Sequence, residues 1–138
     1  MNQYRLEEIQ LGQQECFSVV LTETMMNQFC EMTGDINPLH CDEEYASAKG
    51  YPGRVAYGML VSAFYSTLAG VYLPGKNCLL QSVDIKMRLP VFIGDMLMVE
   101  GTVSEIHEEL GIIRVKASIS NQNGKKVSKA VLQMGVTK

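Results

Sequence analysis

Apolar and polar positions alternate along this chain with two different periods, and the change between them divides it. Residues 15–21, ECFSVVL, carry the β-branched and aromatic side chains of a first strand. Thr22 then offers an N-cap hydroxyl. Met25, Met26, Phe29 and Met32 recur at helical spacing until Gly34 closes the segment. Asp42 suits a second N-cap, over EEYASAK, which Gly50 ends, and YPGRVAY is a glycine- and proline-marked connection. The stretch 58–73, GMLVSAFYSTLAGVYL, is apolar or small on every side and carries no charge before Pro74-Gly75 stops it. A helix without a polar face belongs inside.

Beyond Pro74 the period is two. Leu79, Gln81, Val83, Ile85, Met87 and Leu89 fall on one face, and Ser82, Asp84, Lys86 and Arg88 on the other. PVFIGD turns the chain, and Leu97, Val99 and Val103 continue the pattern. Ile113, Val115, Ala117 and Ile119 alternate with Arg114, Lys116, Ser118 and Ser120. Asn123-Gly124 predicts a two-residue hairpin turn into a last strand over 127–136. About three long antiparallel strands are thus expected after one buried helix. A sheet with one apolar face needs a cover, and the uncharged helix can supply it. The predicted fold is α+β: a hotdog, an antiparallel sheet wrapped around a long central helix, with residues 1–138 forming one domain.

Composition adds limits. A net charge of -3 and a pI near 5.4, with no basic stripe, argue against a nucleic-acid partner. Cys16, Cys30, Cys41 and Cys78 are scattered without a CxxC pair, which fits reduced thiols of a cytoplasmic protein. MNQYRLEEIQLG lacks the apolar run of a secretory signal, and no apolar stretch is long enough to span a bilayer.

The candidate chemistry lies in GDINPLH, residues 34–40. Gly34 ends a helix and Pro38 keeps Asn37 out of the helical region, so an irregular loop carrying Asp35 and His40 is expected. Asp35 could instead bond its own loop backbone, and His40 could be a satisfied loop histidine. Asp35, His40 and Asp42 without a further nearby histidine make a poor metal site, and Cys41 next to His40 is a poor nucleophile because adjacent loop residues rarely face each other. His107 is expected at an exposed hairpin end, and Lys86 and Arg88 as ordinary strand-face charges near enough to meet a carrier's phosphates.

TGDINPLHCDEEYA, residues 33–46, resembles the hydratase motif of the (R)-specific enoyl-CoA hydratases, the MaoC-like dehydratase family. GRVAYGMLVS (53–62) resembles the opening of that family's central helix, and LPVFIGDMLMVEGTV (89–103) its following strand pair. The resemblance runs from about Val19 to the C-terminus, with D-x-N-P-x-H its specific core. It implies a hotdog homodimer or dimer of dimers that reversibly hydrates a trans-2-enoyl thioester, on CoA or acyl carrier protein, to the (R)-3-hydroxyacyl thioester. No cofactor, metal or membrane is implied.

Carried over, Asp35 and His40 are the catalytic pair, and Asn37 and Pro38 shape the loop between them. Gly58 and Met59 offer backbone N–H groups to the thioester oxygen, Tyr57 is expected to line the pocket, and Ser62, one turn past Gly58, either reaches the loop or ligand or packs within the helix. Tyr57 replaces the histidine usual before Gly-Met-Leu, a change that bears on the acyl pocket or on the residues surrounding the pair, not on the pair itself. Two other readings remain open here. One is another hotdog enzyme, a thioesterase or acyl-carrier dehydratase, although those commonly carry an acidic residue on the central helix. The other is a module that binds an acyl thioester without converting it.

Overall fold

The computed structural model describes residues 1–138. Five strands, Gln14–Val20 (β1), Cys78–Met87 (β2), Met96–His107 (β3), Ile112–Ser120 (β4) and Lys126–Val136 (β5), form one antiparallel sheet in the order β1-β3-β4-β5-β2. The alternation seen in the sequence places Leu97, Val99, Val103, Ile113, Val115, Ile119, Leu132 and Met134 on the covered face, all buried. Each such side chain contributes roughly 1.5–3 kcal/mol over its exposed state.

The cover is the helix Gly58–Thr67, which we number α4 after Glu23–Thr33 (α1), Pro38–Cys41 (α2) and Glu43–Ala48 (α3). Val61, Ser62 and Tyr65 of α4 are buried, as are Leu68 and Ala69 in the turn that follows. That turn, Leu68–Tyr72, widens to π-helical pitch and brings Leu68 against Gly101 of β3. A Cβ on Gly101 would lie 2.8 Å from both Leu68 Cδ2 and Val115 Cγ1, so only glycine lets the helix settle onto the sheet here.

Some expectations need correction. Four strands follow the central helix, because Leu89-Pro90 divides the second half of the alternation. β2 then lies at the far edge beside β5, while β3 crosses to sit between β1 and β4. A bulge between Leu80 and Ser82 interrupts the β2–β5 register, and on this edge strand Leu79, Val83 and Met87 are exposed rather than covered. Met32 stays in solvent, off the α1 stripe that buries Met26. The central helix is not enclosed on all sides: Met59, Ala63 and Ser66 are exposed. Asn123-Gly124 sits inside a longer turn. Asn121 Oδ1 accepts the N–H groups of Asn123 (3.0 Å) and Lys125 (3.1 Å), and its carbonyl accepts that of Gly124 (3.0 Å), so the turn starts earlier.

Candidate active site

Helix α1 is capped as its sequence suggests: Thr22 Oγ1 accepts the Met25 N–H at 3.1 Å, and Gly34 ends it in the left-handed region at φ 73°. The next residues form a relay of side-chain-to-backbone bonds. Thr33 Oγ1 accepts the Asp35 N–H (3.2 Å), Asp35 Oδ1 that of Asn37 (3.1 Å), and Asn37 Oδ1 that of Leu39 (3.0 Å). Asn37 thereby caps α2, with Pro38 at its first position, where a missing N–H costs nothing. The wholly irregular loop expected from Gly34 and Pro38 is therefore half helical. His40 rides on one turn, and Asp35 precedes it outside the helix.

A second segment holds this one. Arg54 Nε donates to the His40 carbonyl (2.7 Å), and the Val55 N–H donates to the Leu39 carbonyl (3.1 Å). The Val55 carbonyl lies 2.7 Å from His40 Nδ1. A carbonyl only accepts, so Nδ1 carries the proton, and the neutral ring keeps its lone pair on Nε2. Tyr57 completes the grip by donating its phenol proton to the Asp35 carbonyl at 2.7 Å. Arg54 also reaches Glu23 and Asn27 on α1, at 3.4 and 3.2 Å.

Tyr57 is 2% exposed, its ring packed on Phe29 and His40 with centroids 4.7 and 4.3 Å away. Burial pushes the phenol well above its ordinary range, and contacts with Cys41 and Cys30 add to this. It stays protonated and acts as a donor. With its proton given to Asp35, its oxygen faces the Cys41 thiol at 3.2 Å, and Cys41 Sγ lies 3.8 Å from Cys30 Sγ beneath the loop.

Tyr57 is also the N-cap of α4, yet its side chain does not cap the helix. The first amides, those of Gly58 and Met59, are left without an intrahelical partner. Asp35, His40, Tyr57, Gly58 and Met59 all line one open cavity of about 620 Å³, closed at the back by Phe29 and Thr33. A carboxylate, an imidazole and a helix N-terminus share that space. Such a set can hold a water, move its proton and receive negative charge on an oxygen.

The structure brings together most of the residues singled out in the sequence and separates others. Ser62 Oγ donates to the Gly58 carbonyl at 2.7 Å, and Ser62 lines a neighbouring cavity of about 310 Å³ instead of the one holding the pair. Asp42 Oδ1 is spent on the Tyr45 N–H at 3.0 Å as the cap of α3, which removes it from any cluster with His40. Exposed His107 bonds Glu105 at 2.9 Å, as its position at the strand end predicts. Lys86 and Arg88 border a separate cavity of about 590 Å³ with Lys116, Lys126 and Lys129, and Arg88 also edges the 310 Å³ cavity. Sequence reasoning passed over Arg54 and Val55. A lone charge in the otherwise apolar and small RVAYG stretch was the available signal.

An antiparallel sheet wrapped on one helix, with a titratable loop at that helix's N-terminus, defines a hotdog protein of the hydratase type. The chain belongs to the MaoC-like domain family, whose profile matches residues 8–129. It is 32% identical over 103 residues to an (R)-specific enoyl-CoA hydratase of Rhodospirillum rubrum, covering 75% of this chain and 72% of that one. The enzyme of the same name from Aeromonas caviae is 29% identical over 118 residues, 86% of this chain and 88% of the other. An unliganded R-hydratase of Pseudomonas aeruginosa superposes with a TM-score of 0.92 at 28% identity, over 97% of this chain and 86% of that one.

Proposed function

We propose that this protein is an (R)-specific enoyl-CoA hydratase, adding water reversibly across the double bond of a trans-2-enoyl thioester. One observation carries the reading: Asp35, His40 and the uncapped N-terminus of α4 open into a single cavity. The enoyl thioester lies with its carbonyl oxygen toward the Gly58 and Met59 amides and C3 toward the loop. A water held between Asp35 and His40 Nε2 gives one proton to the pair as its oxygen bonds to C3. The π electrons move onto the thioester oxygen as an enolate, which the helix N-terminus stabilises. The enolate then collapses, and the proton taken from water is delivered to C2. Atoms and charge balance with no external acid, and the reverse path is dehydration.

Several features support the roles. The bond from His40 Nδ1 to the Val55 carbonyl fixes ring and tautomer, so Nε2 is the atom free to work. Asn37 and Pro38 shape the loop as a cap and helix start. Tyr57 is a positioning residue rather than an acid, since its proton is committed to the Asp35 carbonyl. The named relatives act on CoA thioesters, which favours CoA over acyl carrier protein as carrier. The uncharged face of α4 and the exposed apolar edge strand β2 favour a homodimer, and four free cysteines favour a reducing, cytoplasmic setting. No helix is long and apolar enough to cross a membrane.

Incubation with crotonyl-CoA tests the reading. Loss of enoyl absorbance with (R)-3-hydroxybutyryl-CoA as product is the expected result. Release of free thiol would identify a thioesterase, and binding without either change a carrier module.

A further inference from the structure

Resting on that reading, we propose that Met87 is a side-chain gate that sets acyl-length preference, standing between the catalytic cavity and a second cavity that takes the distal acyl chain. Gly58 and Met87 are the two residues shared by both cavities. The first cavity holds Asp35 and His40. The second, about 310 Å³, is lined by Val55, Val61, Leu89, Val91 and Val127 and runs between α4 and the sheet. Its volume and mostly apolar wall suit a hydrocarbon chain, with Ser62, Arg88 and Ser128 as the polar exceptions.

Met87 occupies the passage itself. Its thioether sits where a Cβ on residue 58 would be, with Cε 2.8 Å from that position, so the side chain rests against the first turn of α4. The thioether thus fills the space beside Gly58 that both cavities share, and a chain long enough to pass from one to the other must displace it. The backbone beneath does not need to follow. Met87 pairs with Ser128 at the end of β2, and the Arg88 N–H donates to the Val127 carbonyl at 2.8 Å. Met87 is 55% exposed, and its unbranched side chain can change rotamer. Behind it the cavity is closed by Ser128, which accepts a bond from buried Tyr65 at 2.9 Å. The length limit is therefore set in two places, a movable door and a fixed wall.

A short enoyl group fits in front of the thioether, whereas a medium chain must displace it to enter the apolar cavity. Each extra methylene transferred there gains roughly 0.8 kcal/mol, and pocket discrimination on this scale amounts to about 10–200-fold. The test compares wild type, Met87→Ala, Met87→Ile and a Met87→Leu control on crotonyl-CoA and trans-2-octenoyl-CoA. The octenoyl-to-crotonyl ratio of kcat/KM should rise about tenfold in Met87→Ala. It should fall by a similar factor in Met87→Ile, whose branched Cβ cannot swing clear. Met87→Leu should stay near wild type. Equal ratios in all four proteins would overturn the gate. Affinities for the saturated octanoyl-CoA and butyryl-CoA report the same ratio without turnover. A protein that hydrates neither substrate but shows the shifted affinity ratio would sink the hydratase reading and keep the gate, and an unshifted ratio would sink the gate.

Discussion

Asp35 bonds the Asn37 N–H through one carboxylate oxygen, and an asparagine at 35 retains an oxygen for the same bond. Asp35→Asn therefore separates loop shape from proton transfer. We expect kcat for hydration to fall by about 10²–10⁴ with the melting temperature unchanged; a rate near wild type would leave the aspartate only its turn. A double variant with His40→Ala should be little slower than the slower single one, because groups serving one water are not additive. Tyr57→Phe removes the hydroxyl that holds the Asp35 carbonyl and leaves the Cys41 thiol facing a void. Urea denaturation should show a loss of about 1 kcal/mol, and kcat should drop with little change in KM. Among the cysteines, half-buried Cys78 has its thiol pushed up by burial, whereas Cys16 is exposed. Thiolate is the reactive form, so Cys78 should be modified more slowly by a disulfide reagent at pH 8 and need a higher pH to catch up. Two equally fast thiols would contradict the packing around it.

Among the elements, the close approach of the π-pitched turn to β3 depends on Gly101. Gly101→Ala should destabilise the fold by roughly 1–3 kcal/mol through overpacking, measured as a lower urea midpoint; an unchanged midpoint would mean that Leu68 relaxes freely. Local rules made much of this architecture legible. Thr22, Gly34 and Asp42 mark helix ends because one side chain and one backbone amide decide them. The strands were visible where one face is covered, as with Ile113, Val115 and Ile119. They were misleading in β2, because an edge strand with a bulge has no covered face to enforce the pattern. Pro38 misled for another reason. It forbids helix to the residue before it but suits the first helical position itself, so the same proline bars Asn37 and starts α2. The Asp35–His40 loop could be found from its residue types, but its support by Arg54, Val55 and Tyr57 spans 14 to 22 positions, and the lone charge of Arg54 was its faint local sign.

At the scale of the molecule, a single chain leaves a good deal of apolar surface in water. Leu79, Leu80 and Val83 on the edge strand and Met59 at the start of α4 are all exposed. A long apolar edge of this kind pairs with another strand unless it is covered, and two-fold pairing covers both copies with one surface. Sedimentation at micromolar concentration should give a dimer or larger species. Val83→Lys, placed on that edge, should shift the population toward monomer; a monodisperse wild-type monomer would sink the claim.

The hold of residues 54–57 on residues 35–40 has a thermal consequence. One half of the reacting geometry, the Asp35–His40 loop, hangs from these few bonds and not from the sheet, whereas the first amides of α4 belong to the helix packed on it. Between Gly34 and Tyr57 only Ala46, Ala56 and Tyr57 are buried, so the segment contributes little to the cooperative core. Such regions open on their own at a free energy below that of global unfolding. Amides such as those of His40 and Val55 should then exchange with deuterium well before those of β4. Catalysis should fade reversibly on warming while the sheet is still intact, giving the enzyme an upper working temperature lower than its melting point.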